Sequence, residues 1–278
     1  MLLEFLKAVL FGIVQGITEW LPISSTGHMI LLDELVHLQV SEAFYELFEV
    51  VIQLGSILAV VVLYWNTLNP FSMKKSSQEK QYTWQMWFKV IVGVLPLGIL
   101  GLLLDDFVDE HLNNYIVVAV ALIVYGILFL VVENANRNKK PLVTDINHLT
   151  YGRAFCVGLF QVLAIVPGTS RSGATILGAI LLGMARPLAA EYSFFLAIPA
   201  MVGASGLKAV KFFLDDASPA ITGTEWMVLI VGTAVSFAVS MAAIRLLVQY
   251  VRKHDFKGFG IYRIILGVIV LAYFLIVR

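Results

Sequence analysis

The chain has 278 residues, of which 59% are apolar and 14% charged, with a formal net charge of zero and a mean hydropathy of +0.87. That balance excludes an ordinary soluble domain and places the chain in a bilayer. Neutral net charge leaves no electrostatic footprint for nucleic acid, and a single cysteine, Cys156, excludes an internal disulfide.

Residues 2–18 are apolar, lack a basic leader and a small-residue cleavage site, and run into the polar string EWLPISSTGH at 19–28. A cleavable signal peptide is therefore not expected. A second apolar piece follows at 29–38, so the segment reads as a re-entrant helical hairpin. Spans come next at about 44–65, 87–104 and 115–132, the last free of charge. The pattern then repeats: an apolar segment at 153–166 stops at PGTSRSGAT (167–175), a second piece occupies 174–184, and spans follow at about 190–211, 226–244 and 259–277. These runs are apolar on every face and approach the roughly 20 residues that a spanning helix needs, whereas barrel strands would alternate. The expected fold is an all-α polytopic membrane protein with six transmembrane helices and two re-entrant hairpins. Two proline-kinked spanning helices are the alternative reading of the hairpins.

Gly12, Gln15, Ser24, Gly27, Ile30 and Leu31 recur as Gly158, Gln161, Ser170, Gly173, Ile176 and Leu177 at one constant offset, and Glu49 returns as Glu191 at a slightly shorter one. The chain thus reads as a single membrane domain of two repeats, about 1–132 and 150–278, joined by a basic loop at 133–150. Lys and Arg cluster at 74–89, 137–153 and 245–263, which predicts a cytoplasmic location for those stretches. The acidic stretch at 105–114 and the segment 212–225, with Asp215, Asp216 and Glu225, are expected outside. Three spans per repeat then give the copies opposite topology, the architecture of many secondary transporters.

Ionisable groups at membrane depth are expensive, on the order of 2.5–3.5 kcal/mol each, so Glu19, His28, Glu49, Arg171 and Glu191 point to a polar site. A helix starting just after Pro22 would be capped by Ser24 or Ser25, and one starting after Pro167 by Thr169 or Ser170. Either cap turns free backbone N–H groups toward an anion. Gly27, Gly168 and Gly173 permit close backbone approach, and the Arg171 guanidinium matches a phosphoryl group. His37, His111, His148 and His254 fall in or near loops and are expected to be solvated. Trp20, Trp65, Trp84, Trp87 and Trp226 sit near span ends, where interfacial anchoring is expected.

These residues resemble the bacterial undecaprenyl pyrophosphate phosphatases of the bacitracin-resistance type. The resemblance rests on QGITE (15–19) running into LPISSTGH, on PGTSRSGAT, and on FEVVIQLGSILAVV (48–61), and it covers essentially the whole chain. It implies hydrolysis of undecaprenyl pyrophosphate to undecaprenyl phosphate and inorganic phosphate, recycling the carrier for cell-wall synthesis, with a divalent cation, Mg²⁺ or Ca²⁺, assisting. The family's acidic motif accepts Glu or Gln at its first position. With Gln15 here, Glu19 carries more of any metal site, and Glu49 is the candidate to complete it.

The catalytic candidates are Glu19, Ser25, His28 and Arg171. The phosphate-binding candidates are Ser24, Thr26, Gly27, Gly168, Thr169, Ser170, Ser172, Gly173 and Thr175, and the metal candidates are Gln15, Glu19 and Glu49. Ser25 with His28 as its base, His28 itself, and water all stand as nucleophiles. The expected partners are the polyprenyl pyrophosphate lipid, the bilayer and, as an open alternative, a second copy of the chain as a homodimer. The expected setting is the bacterial plasma membrane, with the site opening to the outer face. The rival function is an inverted-repeat transporter or flippase for a phosphorylated lipid or another anion.

Overall fold

A computed structural model describes residues 1–112, 114–214 and 220–277. Among these residues the structure is helical, apart from one parallel bridge between Val143 and Met184. Helix α1 (Leu2–Thr18) and helix α2 (Ser25–Val36) are followed by α3 (Glu42–Leu63), the single turn α4 (Trp65–Leu68), α5 (Ser77–His111) and α6 (Tyr115–Asn136). After a 3₁₀ turn at Ile146–His148 come α7 (Tyr151–Val162), a second 3₁₀ turn at Leu163–Ile165, α8 (Arg171–Leu181), α9 (Arg186–Leu214), α10 (Gly223–Val251) and α11 (Lys257–Val277).

Six of these, α3, α5, α6, α9, α10 and α11, are long and apolar enough to cross a membrane, as expected. Local chemistry starts them where it does. Ser76 with Glu79 and Thr222 with Glu225 form reciprocal capping boxes at α5 and α10. Ser41, Asn114 and Thr150 cap α3, α6 and α7. Because α5 runs on to His111, the acidic stretch expected as an outside loop is mostly helical. The side chains of Asp105, Asp106 and Asp109 lie outside the described residues, as do Asp215 and Asp216.

Helix α1 packs along α10, α10 along α3, α7 along α5, and α6 along α11, while α8 lies against α7, α9 and α6. Glycines bring the first four of these pairs to backbone contact. A Cβ on Gly12 of α1 would lie 2.6 Å from the carbonyl of Gly232 of α10, and one on Gly158 of α7 would lie 2.2 Å from that of Gly93 of α5. Between α1, α3 and α10 a buried chain of hydroxyls links Ser56 to Ser236 at 2.7 Å and to Ser240 at 3.0 Å, and Ser236 and Ser240 also donate to the carbonyls of Ile52 and Gly16. Large apolar side chains instead face outward: Leu102 is 72% and Ile230 63% exposed, an arrangement suited to hydrocarbon surroundings.

Two cations read as loop charges are not in loops. Lys89 is buried in α5, its ammonium donating to the carbonyls of Ile146 and Asn147. Arg263 is fully buried in α11. A third correction concerns Trp20, expected at a membrane interface. It is completely buried, edge-on to Phe194, because α1 ends inside the bundle. Trp65, Trp84 and Trp226 are exposed.

Candidate active site

The site is built from two interrupted helices. Pro22 follows the end of α1, and Pro167 follows the 3₁₀ turn after α7; each lacks the N–H that a continuing helix needs. The chain then turns sharply and restarts as α2 or α8. Ser24 and Ser170 are the N-caps, and each has a positive φ, 71° and 70°, the sole non-glycine residues among those described to do so. Their hydroxyls accept from the N–H of Gly27 at 3.4 Å and of Gly173 at 3.2 Å. A serine held at such an angle costs on the order of 1–3 kcal/mol and persists only where its surroundings dictate it. The first-turn N–H groups of Ser25 and Thr26, and of Arg171 and Ser172, have no intrahelical acceptor.

The two turns meet. Glu19 Oε1 accepts from Arg171 Nη2 at 3.0 Å, and both side chains are about nine-tenths shielded. Glu19 Oε2 accepts from Gln15 Nε2 at 3.0 Å and from Ser25 Oγ at 3.1 Å. Arg171 Nη1 donates to the Ser193 carbonyl at 3.0 Å, and the guanidinium lies 5.7 Å from the centre of the Trp20 ring. Two buried donors in this group, Arg171 Nε and Trp20 Nε1, have no acceptor. Unmet buried donors beside free helix N-termini suit an incoming anion.

His28 is held elsewhere. Its Nδ1 is 2.7 Å from the Ser24 carbonyl, an acceptor only, so Nδ1 carries the proton. Nε2 then faces the Tyr262 hydroxyl at 2.7 Å, with the two rings stacked. The expected Ser25–His28 contact is replaced by a Ser25–Glu19 one.

Several of the phosphate-binding candidates are engaged by the protein. Ser172 Oγ donates to the carbonyl of Glu19 at 3.2 Å, and Leu21 O lies 3.4 Å away. Thr175 is buried and bonded to the Ser193 hydroxyl at 2.6 Å and to the Arg171 carbonyl. Gly168, at φ +87°, backs onto α6, where a Cβ would lie 2.5 Å from the Val118 carbonyl. Gly173 makes room for Arg263, and Gly27 for Leu122. The Thr169 carbonyl is taken by Arg263, whereas Thr26 is exposed at the rim.

The metal candidates divide. Gln15 and Glu19 touch, but Glu49 makes no contact with either, and the charges acting on it are Lys208, Asp33 and Glu46. Glu191 instead feels Arg252. Among the described residues no group of three or more His, Cys, Asp or Glu side chains lies close enough to hold a metal. The donors present are one carboxylate and one amide. They fit a hard cation that brings most of its ligands with it, in the way Mg²⁺ is held by one or two carboxylates plus substrate phosphates and water.

The family model for the bacitracin resistance protein BacA matches residues 8–269. The chain belongs to that family. Its relatives include an undecaprenyl-diphosphatase of Limosilactobacillus fermentum, 57% identical over 98% of both chains, and one of Acetivibrio thermocellus, 54% identical over the full length of both. A third, from Desulfitobacterium hafniense, is 57% identical over 98% of this chain and 97% of its own.

In this BacA-family chain, sequence reasoning missed Ser193, Tyr262 and Arg263. Tyr262 and Arg263 arrive from α11, far from either motif, and carry no local signal of a site. Ser193 sits two residues after Glu191, inside a span whose small polar residues look like packing.

Proposed function

We propose that this chain is an integral membrane undecaprenyl-diphosphatase, hydrolysing undecaprenyl pyrophosphate to undecaprenyl phosphate and inorganic phosphate and so returning the carrier to peptidoglycan synthesis. The observation that carries this reading is the cluster in which Glu19 bonds Ser25 and Arg171 at once, beside unpaired donors and two helix N-termini.

Ser25 Oγ is the favoured nucleophile. Its proton is already directed at Glu19, so Glu19 serves as base while the oxygen attacks the terminal phosphorus. The Oγ–P bond forms, the P–O bond to the lipid phosphate breaks, and undecaprenyl phosphate leaves. Glu19 passes that proton to the departing lipid phosphate; water then attacks the phosphoserine, Glu19 takes a proton from it and returns it to Ser25 Oγ as the Oγ–P bond breaks, which regenerates Ser25 and frees inorganic phosphate. Arg171, Trp20 Nε1 and the first-turn N–H groups of α2 and α8 neutralise charge on the phosphoryl oxygens. Hydrogen-bonding to the Ser24 carbonyl orients His28 at the rim with Tyr262, as a group for the entering head rather than the base of Ser25. A Mg²⁺ or Ca²⁺ bound with the diphosphate would be held by Glu19 and Gln15 and would supply further charge neutralisation.

In this reading α1–α2 and α7–α8 are re-entrant hairpins of two inverted repeats. The equal backbone angles of Ser24 and Ser170, and the exchange by which α1 packs on α10 and α7 on α5, support it. Loop charge supports an opening to the outer face. Sole transport of a phosphorylated lipid is not favoured, given the phosphatase names of the relatives. The test is phosphate release from undecaprenyl pyrophosphate by purified protein in detergent. Release equal in wild type, Glu19→Gln and Arg171→Ala would remove the assignment.

A further inference from the structure

Among the described residues Arg263 is the largest fully buried cation, and no carboxylate pairs with it. Its guanidinium is spent on backbone carbonyls. Nη1 donates to Pro22 O at 3.1 Å, and Nη2 donates to Gly168 O at 3.0 Å and Thr169 O at 2.8 Å. Nε reaches the Leu122 carbonyl of α6 at 3.5 Å, and the Tyr125 ring covers one face at 5.5 Å.

Those acceptors have a common origin. Pro22 belongs to the first turn, Gly168 and Thr169 to the second, and each precedes a helix, so no helical N–H can reach its carbonyl. A buried carbonyl left without a donor is costly. One rigid fork satisfies both turns, which a lysine ammonium, a point charge on a flexible stem, does less well. The fork also fixes the separation of the two turns, because its two terminal nitrogens are held in one plane. A charge results as well. Arginine stays protonated in proteins, and here only dipoles oppose it. It lies directly behind the first turn of α8: a Cβ on Gly173 would be 3.0 Å from Nη1.

We propose that Arg263 is a positioning residue for the diphosphatase reaction. It holds the Pro22 turn against the Gly168–Thr169 turn, which sets the Glu19, Ser25 and Arg171 geometry, and its uncompensated charge strengthens binding of the diphosphate at the N-termini of α2 and α8. The proposal rests on the phosphatase reading.

The experiment uses the full chain in detergent, with Arg263→Lys keeping the charge but not the fork, and Arg263→Gln losing the charge. Phosphate release from undecaprenyl pyrophosphate gives kcat and KM; inorganic pyrophosphate, scored by the rise it causes in the melting temperature, gives anion affinity separately; circular dichroism reports the fold. For Arg263→Lys the expected result is a kcat lower by about 10–100-fold, the cost of small misplacements at a reacting centre, with KM and pyrophosphate protection near wild type. For Arg263→Gln, KM and the pyrophosphate concentration needed for protection rise by about 10-fold, and kcat falls too. A folded Arg263→Gln with both constants within about twofold of wild type overturns the proposal. Failure of both variants to fold also overturns it, since the role would then be architectural. Wild-type protein that releases no phosphate would instead remove the phosphatase reading itself.

Discussion

Glu19 and Arg171 stand 152 positions apart in the chain and meet at 3.0 Å, both largely buried. Their pairing joins the two motifs into one site, and removing one partner leaves the other charge buried and alone, a loss of about 3–5 kcal/mol. Glu19→Gln should lower phosphate release by about 100-fold or more, since it removes the base as well as the pair. Glu19→Gln combined with Arg171→Gln should cost far less than the sum of the two single changes. A double-mutant cycle on the rate and on the melting temperature checks this, and additive effects would contradict the coupling.

Ser25, bonded to Glu19, should carry the phosphoryl group during turnover. Rapid acid quench with substrate labelled on the terminal phosphate should give a labelled peptide containing Ser25 in the wild type and none in Ser25→Ala. Label on His28 would reverse the assignment, and absence of any label in the wild type would leave water as the nucleophile.

Gly168 and Gly98 should respond oppositely to alanine. At Gly168 the new Cβ meets the Val118 carbonyl at 2.5 Å, with φ at +87°, whereas at Gly98 nothing lies within 4 Å. Gly168→Ala should destabilise by about 2–4 kcal/mol and reduce activity. Gly98→Ala, in the interior of α5, should be neutral or stabilising by up to about 1 kcal/mol. Thermal melting of the two proteins in one detergent decides the matter.

Chelation should abolish release, and Mg²⁺ or Ca²⁺ should restore it. Gln15→Glu would place a second carboxylate one helical turn from Glu19, and should lower the cation concentration needed for half-maximal rate by severalfold. Metal titration of chelator-treated protein gives the answer; an unchanged requirement would detach Gln15 from the cation.

The six long apolar helices and the shorter helices broken at Pro22 and Pro167 were readable because continuous apolar runs, a proline and a serine cap are local signals. Ser24 and Ser170 were legible as caps for the same reason, while their positive φ was not, since it arises from how the turns are pressed together. The Glu19–Arg171 contact was not legible, because it depends on how two turns 152 positions apart are brought together. Arg263 was misread because its neighbours in sequence, Arg252, Lys253 and Lys257, form a basic stretch; its burial depends on α6 and both turns converging on it. Trp20 was misplaced on similar grounds, as a residue at the end of an apolar run. Glu49 looked like part of the site because it lies one helix on from Glu19, but the direction in which α3 presents it is not encoded locally.

The hydroxyl of Ser172 grips the Glu19 carbonyl, and the guanidinium of Arg263 grips Pro22, Gly168 and Thr169. Drawing one elbow away from the other would break all of these clasps between buried groups. An inhibitor designed as a wedge between the elbows must replace each clasp that it opens. One that plugs the rim beside Thr26 and Tyr262 faces no such debt, and that rim is where medicinal chemistry has room to begin.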